Sequence, residues 1–226
     1  MSKFPLIPAP LRAVLFTFAC ALLPAACTAD ETATFQEGKD YTVLKTPVAT
    51  STAEQPGKVE VAELFWFGCP HCYRLEPALQ AWLKAKPEEA VFVRVPAALA
   101  PNWELGARAY YAALSLDVED KLHQPLFDAI HKDRKLALIT DENALVSFAG
   151  GLGIDAEAYR KALHSFDVET RLRKSKQLVV QYRVTGVPAV IVAGKYVTDI
   201  AMAGSPARVM DVVNFLVRKE SGKSGS

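Results

Sequence analysis

Val59-Glu60-Val61-Ala62-Glu63-Leu64-Phe65-Trp66-Phe67-Gly68-Cys69-Pro70-His71-Cys72 is the stretch on which the fold of this chain turns. Its first nine residues, Val59 to Phe67, are rich in β-branched and aromatic side chains and nearly apolar throughout, which predicts a central strand buried on both faces. A helix is expected to follow directly. From Pro70 the apolar residues Leu75, Leu79, Trp82 and Leu83 recur at helical spacing, and Lys86-Pro87 marks the end because proline cannot continue a helix. Two cysteines therefore sit where a buried strand hands over to a helix.

That position makes two thiols a redox centre. At a helix start the first backbone N–H groups have no intrahelical partner and the dipole presents partial positive charge, so a thiolate at Cys69 is favoured over a thiol. Pro70 suits the first helical position because its φ is already helical and its missing N–H is not needed. His71 can add a donor or, when protonated, a positive charge. Cys72 follows close to one turn later, within reach for a Cys69-Cys72 disulfide. Cys69 at the tip is expected to attack or be attacked, and Cys72 beneath it to resolve the mixed disulfide. A lone Cys-x-x-Cys can also be half a zinc site, but zinc needs four ligands, and no second cysteine pair or closely spaced histidine pair follows, so no metal and no cofactor are expected. A purely structural bridge is the other competing reading; closing so short a loop removes little chain entropy.

Outward from this stretch, Tyr41 to Leu44 reads as a short strand and Thr46 to Gly57 as a connection. Ala90 to Val95 is the next strand. From Leu99 to about Thr170 the pattern is helical, broken at Gly150-Gly151-Leu152-Gly153. A helix from about Val168 to Tyr182 leads to Thr185-Gly186-Val187-Pro188, a strand at Ala189 to Val192, a turn at Gly194-Lys195, a strand at Tyr196 to Thr198 and a last helix from Pro206 to Lys219. This order predicts an α/β sheet covered on both faces, with a helical block between its two halves.

The 226 residues are half apolar, and 26 basic and 25 acidic residues leave a formal charge of +1. That suits one globular domain with an insertion and argues against a nucleic-acid partner. Residues 1–29 read as a secretory signal peptide: Lys3 and Arg12 precede the uncharged run Ala13 to Leu23, followed by small residues, and the run is too short to span a membrane. Cleavage after Cys27 leaves Cys69 and Cys72 as the mature chain's cysteines, which favours chemistry over a disulfide framework. Cys27, after Leu23-Pro24-Ala25-Ala26, also resembles the lipid-modified cysteine of bacterial lipoproteins, so a lipid anchor stands as the alternative to soluble export.

Phe65-Trp66-Phe67-Gly68-Cys69-Pro70-His71-Cys72 resembles the active-site strand and helix start of the DsbA family, and Thr185-Gly186-Val187-Pro188 is similar to that family's second loop, where the proline is cis. The resemblance covers about Gly38 to Lys219. It implies a thioredoxin fold, residues 38–98 and 168–219, with an inserted all-helical domain at 99–167; residues 220–226 read from the sequence as a flexible tail. It implies a protein-disulfide oxidoreductase that oxidises exported proteins and is itself reoxidised by a DsbB-type membrane partner; with the signal peptide, the chain is expected in the periplasm, as a monomer acting on unfolded or partly folded clients. It gives Val187 and Pro188 the role of pairing with an extended substrate, and Glu63, six residues before Cys69, that of moving the proton of Cys72. An edge or ion-paired carboxylate is the alternative for Glu63.

His123, His131 and His164 read as surface or packing residues, and Trp66 and Trp103 as core or groove residues. An apolar surface beside Cys69 is expected if unfolded chains are the substrates. Two other functions stay open: a periplasmic reductant or isomerase, separable by reduction potential, and a non-catalytic chaperone-like factor, separable by Cys69→Ser.

Overall fold

The computed structural model describes residue 1 and residues 35–222. The proposed signal peptide, Cys27 and most of the tail lie outside the described residues.

Five strands form one mixed sheet: β1 (Thr42–Val43), β2 (Val59–Phe65), β3 (Ala90–Pro96), β4 (Ala189–Val192) and β5 (Tyr196–Thr198), in the order β1-β5-β4-β2-β3. β2 runs parallel to β3 and antiparallel to β4, and every residue of β2 is buried. The two faces of β2 follow from the period of two along a strand. Val59 and Val61 pack toward α1 (Pro70–Ala85) and α8 (Pro206–Glu220), through Leu75, Leu79, Val213 and Leu216. Ala62 and Leu64 point the other way, toward Val179 and Tyr182 at the end of α6 (Phe166–Gln181). The β4–β5 hairpin turns through Ala193 and Gly194, both at positive φ, with Lys195 N–H donating to Val192 at 3.0 Å. A Cβ at Gly194 would lie 2.0 Å from the Val48 carbonyl oxygen, so only glycine fits.

Between β3 and β4 the described chain forms no strand. It builds α2 (Glu104–Ser115), α3 (Glu119–His131), α4 (Glu142–Gly151), α5 (Ala156–Leu163) and α6, with short 3₁₀ turns at Pro101–Trp103 and Leu136–Ile139. The architecture is the expected one, a thioredoxin-like α/β fold with a helical insertion, and the described residues from Phe35 onward form one compact unit. Phe65 and Phe67 leave the sheet's own core and join Tyr110, Leu122, Phe127 and Tyr159 in the core of the helical block. Cys69 and Cys72 belong to that same core, so the cysteine pair lies at the seam between sheet and helices.

Among the boundaries that differ from the sequence reading, three have a clear local cause. β2 stops at Phe65 rather than Phe67, because Ala97 N–H takes the Phe65 carbonyl and Cys69 N–H turns back to that of Trp66. α4 runs through Gly150 and Gly151, its carbonyls at Phe148 and Ala149 satisfied by Leu152 N–H, and the break falls at Gly153 with φ +79°. α6 begins at Phe166 because Ser165 caps it, its hydroxyl accepting from Val168 N–H at 3.2 Å.

Candidate active site

Cys69 is the N-cap of α1, with extended backbone, and Pro70 is the first helical residue. The Cys69 sulfur accepts the N–H of Cys72 at 3.3 Å, which makes it a capping group for the orphan donors of the helix start. Both cysteines are free thiols here. Opposite them, the Val187–Pro188 peptide bond is cis, and the Cys69 thiol donates to the Val187 carbonyl at 3.2 Å. The two motifs read separately in the sequence, 118 residues apart, thus meet at one sulfur.

The two thiols differ sharply in acidity. The side-chain interaction with Cys72, together with the N–H groups of Cys72 and His71 and the charge of Arg74, outweighs burial and lowers the Cys69 pKa to about 7. Burial pushes Cys72 strongly the other way, as does the neighbouring Cys69 sulfur. Cys69 is 6% exposed and Cys72 is 0% exposed. An anion at neutral pH therefore belongs to Cys69, and Cys72 keeps its proton until something takes it. Position 71 contributes through its backbone N–H; its imidazole is exposed and touches the Arg74 guanidinium.

Glu63 lies beneath the pair, fully buried. It faces Arg94 across the β2–β3 register, with Arg94 Nε donating to Glu63 Oε2 at 3.1 Å. Arg94 also reaches Glu76 of α1 at 3.3 Å, and Glu76 in turn meets His123 Nε2 of α3 at 2.9 Å. Burial first, and then the charge of Glu76, raise Glu63 to about 8. Burial opposes ionisation of Glu76 too, but His123, Arg94 and Gln80 together hold it below the usual range, and burial lowers His123. Glu63 thus accepts from Arg94 through Oε2, and yet its other oxygen, Oε1, has no hydrogen-bond partner among the described residues. A buried carboxyl with a vacant oxygen and a pKa near neutrality can take or hold a proton.

The sequence reading brought Cys69, Pro70, Val187 and Pro188 to one place and put Glu63 below them. It missed Glu76, Arg94 and His123, and it missed Arg74. Glu76 had a readable signal, standing four residues after Cys72 on the same helical face. His123 does pack among Phe65, Phe67, Tyr110 and Phe127, but it is also a hydrogen-bonding member of the charged cluster. His131 Nε2 contacts the Phe67 carbonyl at 2.7 Å, and His164 sits exposed beside Glu142. Trp66 and Trp103 stack face to face, ring centroids 4.2 Å apart.

A Cys-x-x-Cys pair capping a helix behind a central strand, faced by a cis-proline loop, defines a thiol–disulfide oxidoreductase of the thioredoxin fold. The sequence profile of the DSBA-like thioredoxin domain family matches residues 87–210. The thiol:disulfide interchange protein DsbA of Azotobacter vinelandii is 42% identical over 183 residues, which are 81% of this chain and 83% of that protein. DsbA of Pseudomonas aeruginosa is 38% identical over 200 residues, covering 88% of this chain and 91% of the relative. A crystal structure of Pseudomonas aeruginosa DsbA superposes with a TM-score of 0.77 at 37% identity, covering 84% of this chain and 96% of that one. The oxidoreductase DsbA from Xylella fastidiosa gives a TM-score of 0.76 at 28% identity, covering 83% and 98%. The chain belongs to the DsbA family and is a disulfide-donating oxidoreductase.

Proposed function

We propose that Cys69 and Cys72 carry the disulfide that this enzyme donates. A client thiolate attacks the Cys69 sulfur of the oxidised pair, the Cys69–Cys72 bond breaks, and Cys72 leaves with the electron pair and takes up a proton. The client is then held to Cys69 by a mixed disulfide. Its second thiolate attacks its own bound sulfur, the client disulfide forms, and Cys69 departs as a thiolate. The client loses two electrons and two protons, and the enzyme is left as the dithiol. In the reverse direction Cys72 must lose its proton to attack the mixed disulfide, and Glu63 in its ionised form, a fraction that grows as pH rises toward about 8, takes it.

The observation that carries this reading is the Cys69 sulfur at the start of α1, accepting the Cys72 N–H with the Val187 carbonyl alongside. Pro70 and His71 tune the thiolate by shaping that helix start, and Val187 and Pro188 offer backbone to an extended client. Holding Cys69 at about 7 rather than its ordinary 9.0 favours the anion by about 3 kcal/mol, which favours giving the disulfide away over keeping it. The fold divides as residues 38–98 and 168–219 with 99–167 inserted between them. No described helix is long and apolar enough to cross a membrane. The N-terminal signal pattern and the kinship with DsbA proteins support a periplasmic enzyme acting as a monomer on unfolded or partly folded exported proteins, with reoxidation by a DsbB-type membrane partner.

The test uses Cys72→Ser and Cys69→Ser with a reduced client peptide. Cys72→Ser, charged as a mixed disulfide, is expected to hold the peptide on Cys69, seen as added mass that a reductant removes. Cys69→Ser is expected to oxidise nothing. Peptide accumulating on Cys72 instead would overturn the assignment of roles.

A further inference from the structure

Beside the reactive sulfur the surface opens into a cleft of about 520 Å³, lined by the first turn of α1, the loop before Pro188 and α7 (Ile200–Ala203). Part of its lining is apolar, with Val187, Pro188, Ile200 and Met202, as a site for unfolded chains requires. The remainder departs from the apolar surface expected. His71 and Arg74 enter from α1, and Arg183 enters from the turn that ends α6.

Both arginines are exposed, and among the described residues neither is paired with a carboxylate; Arg74 touches the His71 ring. The one acidic residue lining the cleft, Asp199, is already engaged as the N-cap of α7, its Oδ1 accepting from Met202 N–H at 2.8 Å. Two unpaired guanidinium groups against one committed carboxylate leave the cleft net positive, in a chain whose overall formal charge is only +1.

The backbone at Arg183 fixes where its side chain leaves the end of α6. The chain leaves α6 with Arg183 at φ +54°, its N–H on the Val180 carbonyl and the N–H of Val184 on that of Val179. This is the helix ending that glycine fills at lowest cost, since a left-handed backbone disfavours a side chain. The turn sets this long cationic side chain on the same cleft as the cis-proline loop.

We propose that this cleft selects extended client segments that carry acidic side chains within a few positions of the reacting cysteine, with Arg183 as the specificity-determining residue and Arg74 in support. The inference rests on the reading that Cys69 is the attacked sulfur. Arg74 has two effects, because its charge also lowers the Cys69 pKa, whereas Arg183 is not among the principal groups acting on that sulfur. Arg183 therefore isolates recognition from reactivity.

The experiment follows mixed-disulfide formation between the oxidised protein and three reduced peptides of one sequence, each with a single cysteine flanked by two aspartates, two asparagines or two lysines. Acidic neighbours change the reactivity of the peptide's own thiol, so each rate is divided by that of the same peptide with a neutral small-molecule disulfide. The normalised rate is expected to favour the aspartate peptide over the lysine peptide by on the order of tenfold at low ionic strength, with the preference fading at about 0.5 M salt. Arg183→Gln is expected to reduce that ratio by about threefold. Should that variant fail to fold, Arg74→Gln serves instead, with its Cys69 pKa measured alongside. A ratio of one or an inverted ratio in the parent protein, or a ratio untouched by Arg183→Gln, overturns the selectivity while leaving the reading of Cys69 intact. If none of the three peptides reacts, the assignment of Cys69 fails and the inference fails with it.

Discussion

Glu63 illustrates at the scale of one residue how a site holds a group that the fold would be more stable without. In the unfolded chain it ionises near its ordinary 4.5, and in the folded chain near about 8. Between those values the folded protein keeps a proton that the unfolded chain has released, so stability falls as pH rises through the window. Glu63→Gln is expected to raise stability by about 1–3 kcal/mol at pH 8 and by little at pH 4, with Arg94 still paired to Glu76. Denaturant unfolding at the two pH values measures this, and a loss of stability at pH 8 would show that the pair with Arg94 outweighs burial. The same variant is expected to slow the attack of Cys72 on a trapped mixed disulfide, read by stopped-flow release of peptide. Much of this residue-scale chemistry was legible beforehand. The placement of Cys69 and Pro70 depends on local rules of helix starts, which a sequence carries openly. Arg94 and His123 were not legible, because Arg94 meets Glu63 only once the β2–β3 register is fixed, and His123 arrives from a helix in the block between the two halves of the sheet.

At the scale of elements, the link from β2 to α1 decides where the sulfur points. Trp66 folds its ring over the backbone of Gly68 and stacks on Trp103 from the 3₁₀ turn before α2. A Cβ at Gly68 would stand 2.4 Å from that ring. Gly68→Ala is expected to unstack the tryptophans and to cost about 1–3 kcal/mol, with a change in tryptophan fluorescence and a slower reaction at Cys69, since the helix start must shift. Unaltered fluorescence and stability would show that the ring moves aside freely. The strand's true end was hidden from the sequence for the same reason. Phe65 to Phe67 are apolar because they enter the core of the helical block, and apolar character alone does not say which core a residue joins. The end of α4 was misread in the opposite sense: two glycines suggested a break, but Asp141 caps the helix start and the hydrogen bonds continue to Gly151.

For the whole molecule, the acidity of Cys69 ties the redox state to the stability of the fold. The reduced form can ionise at about 7 when folded and only near 9.0 when unfolded, so folding of the dithiol is favoured increasingly as pH rises between those values, and that gain is lost as pH falls through 7. Cys72, pushed upward by burial, stays protonated in the fold and offsets further gain above about 9. Glu63 titrates in both redox forms and largely cancels in their difference. The reduced protein is therefore expected to gain on the oxidised protein by about 2 kcal/mol between pH 7 and 9 and to change little below pH 6, measured by parallel denaturant unfolding. The strand and helix order, and with it the thioredoxin-like plan, followed from periodicity and turn residues; the meeting of Val187 with Cys69 rested on resemblance until the sheet order brought β4 beside β2. The measurement that bears most directly on all of this is an ultraviolet titration of thiolate absorbance in the reduced protein. One thiol is expected to ionise near pH 7 and the other to stay silent through pH 9; two thiols titrating together near 9 would contradict the account.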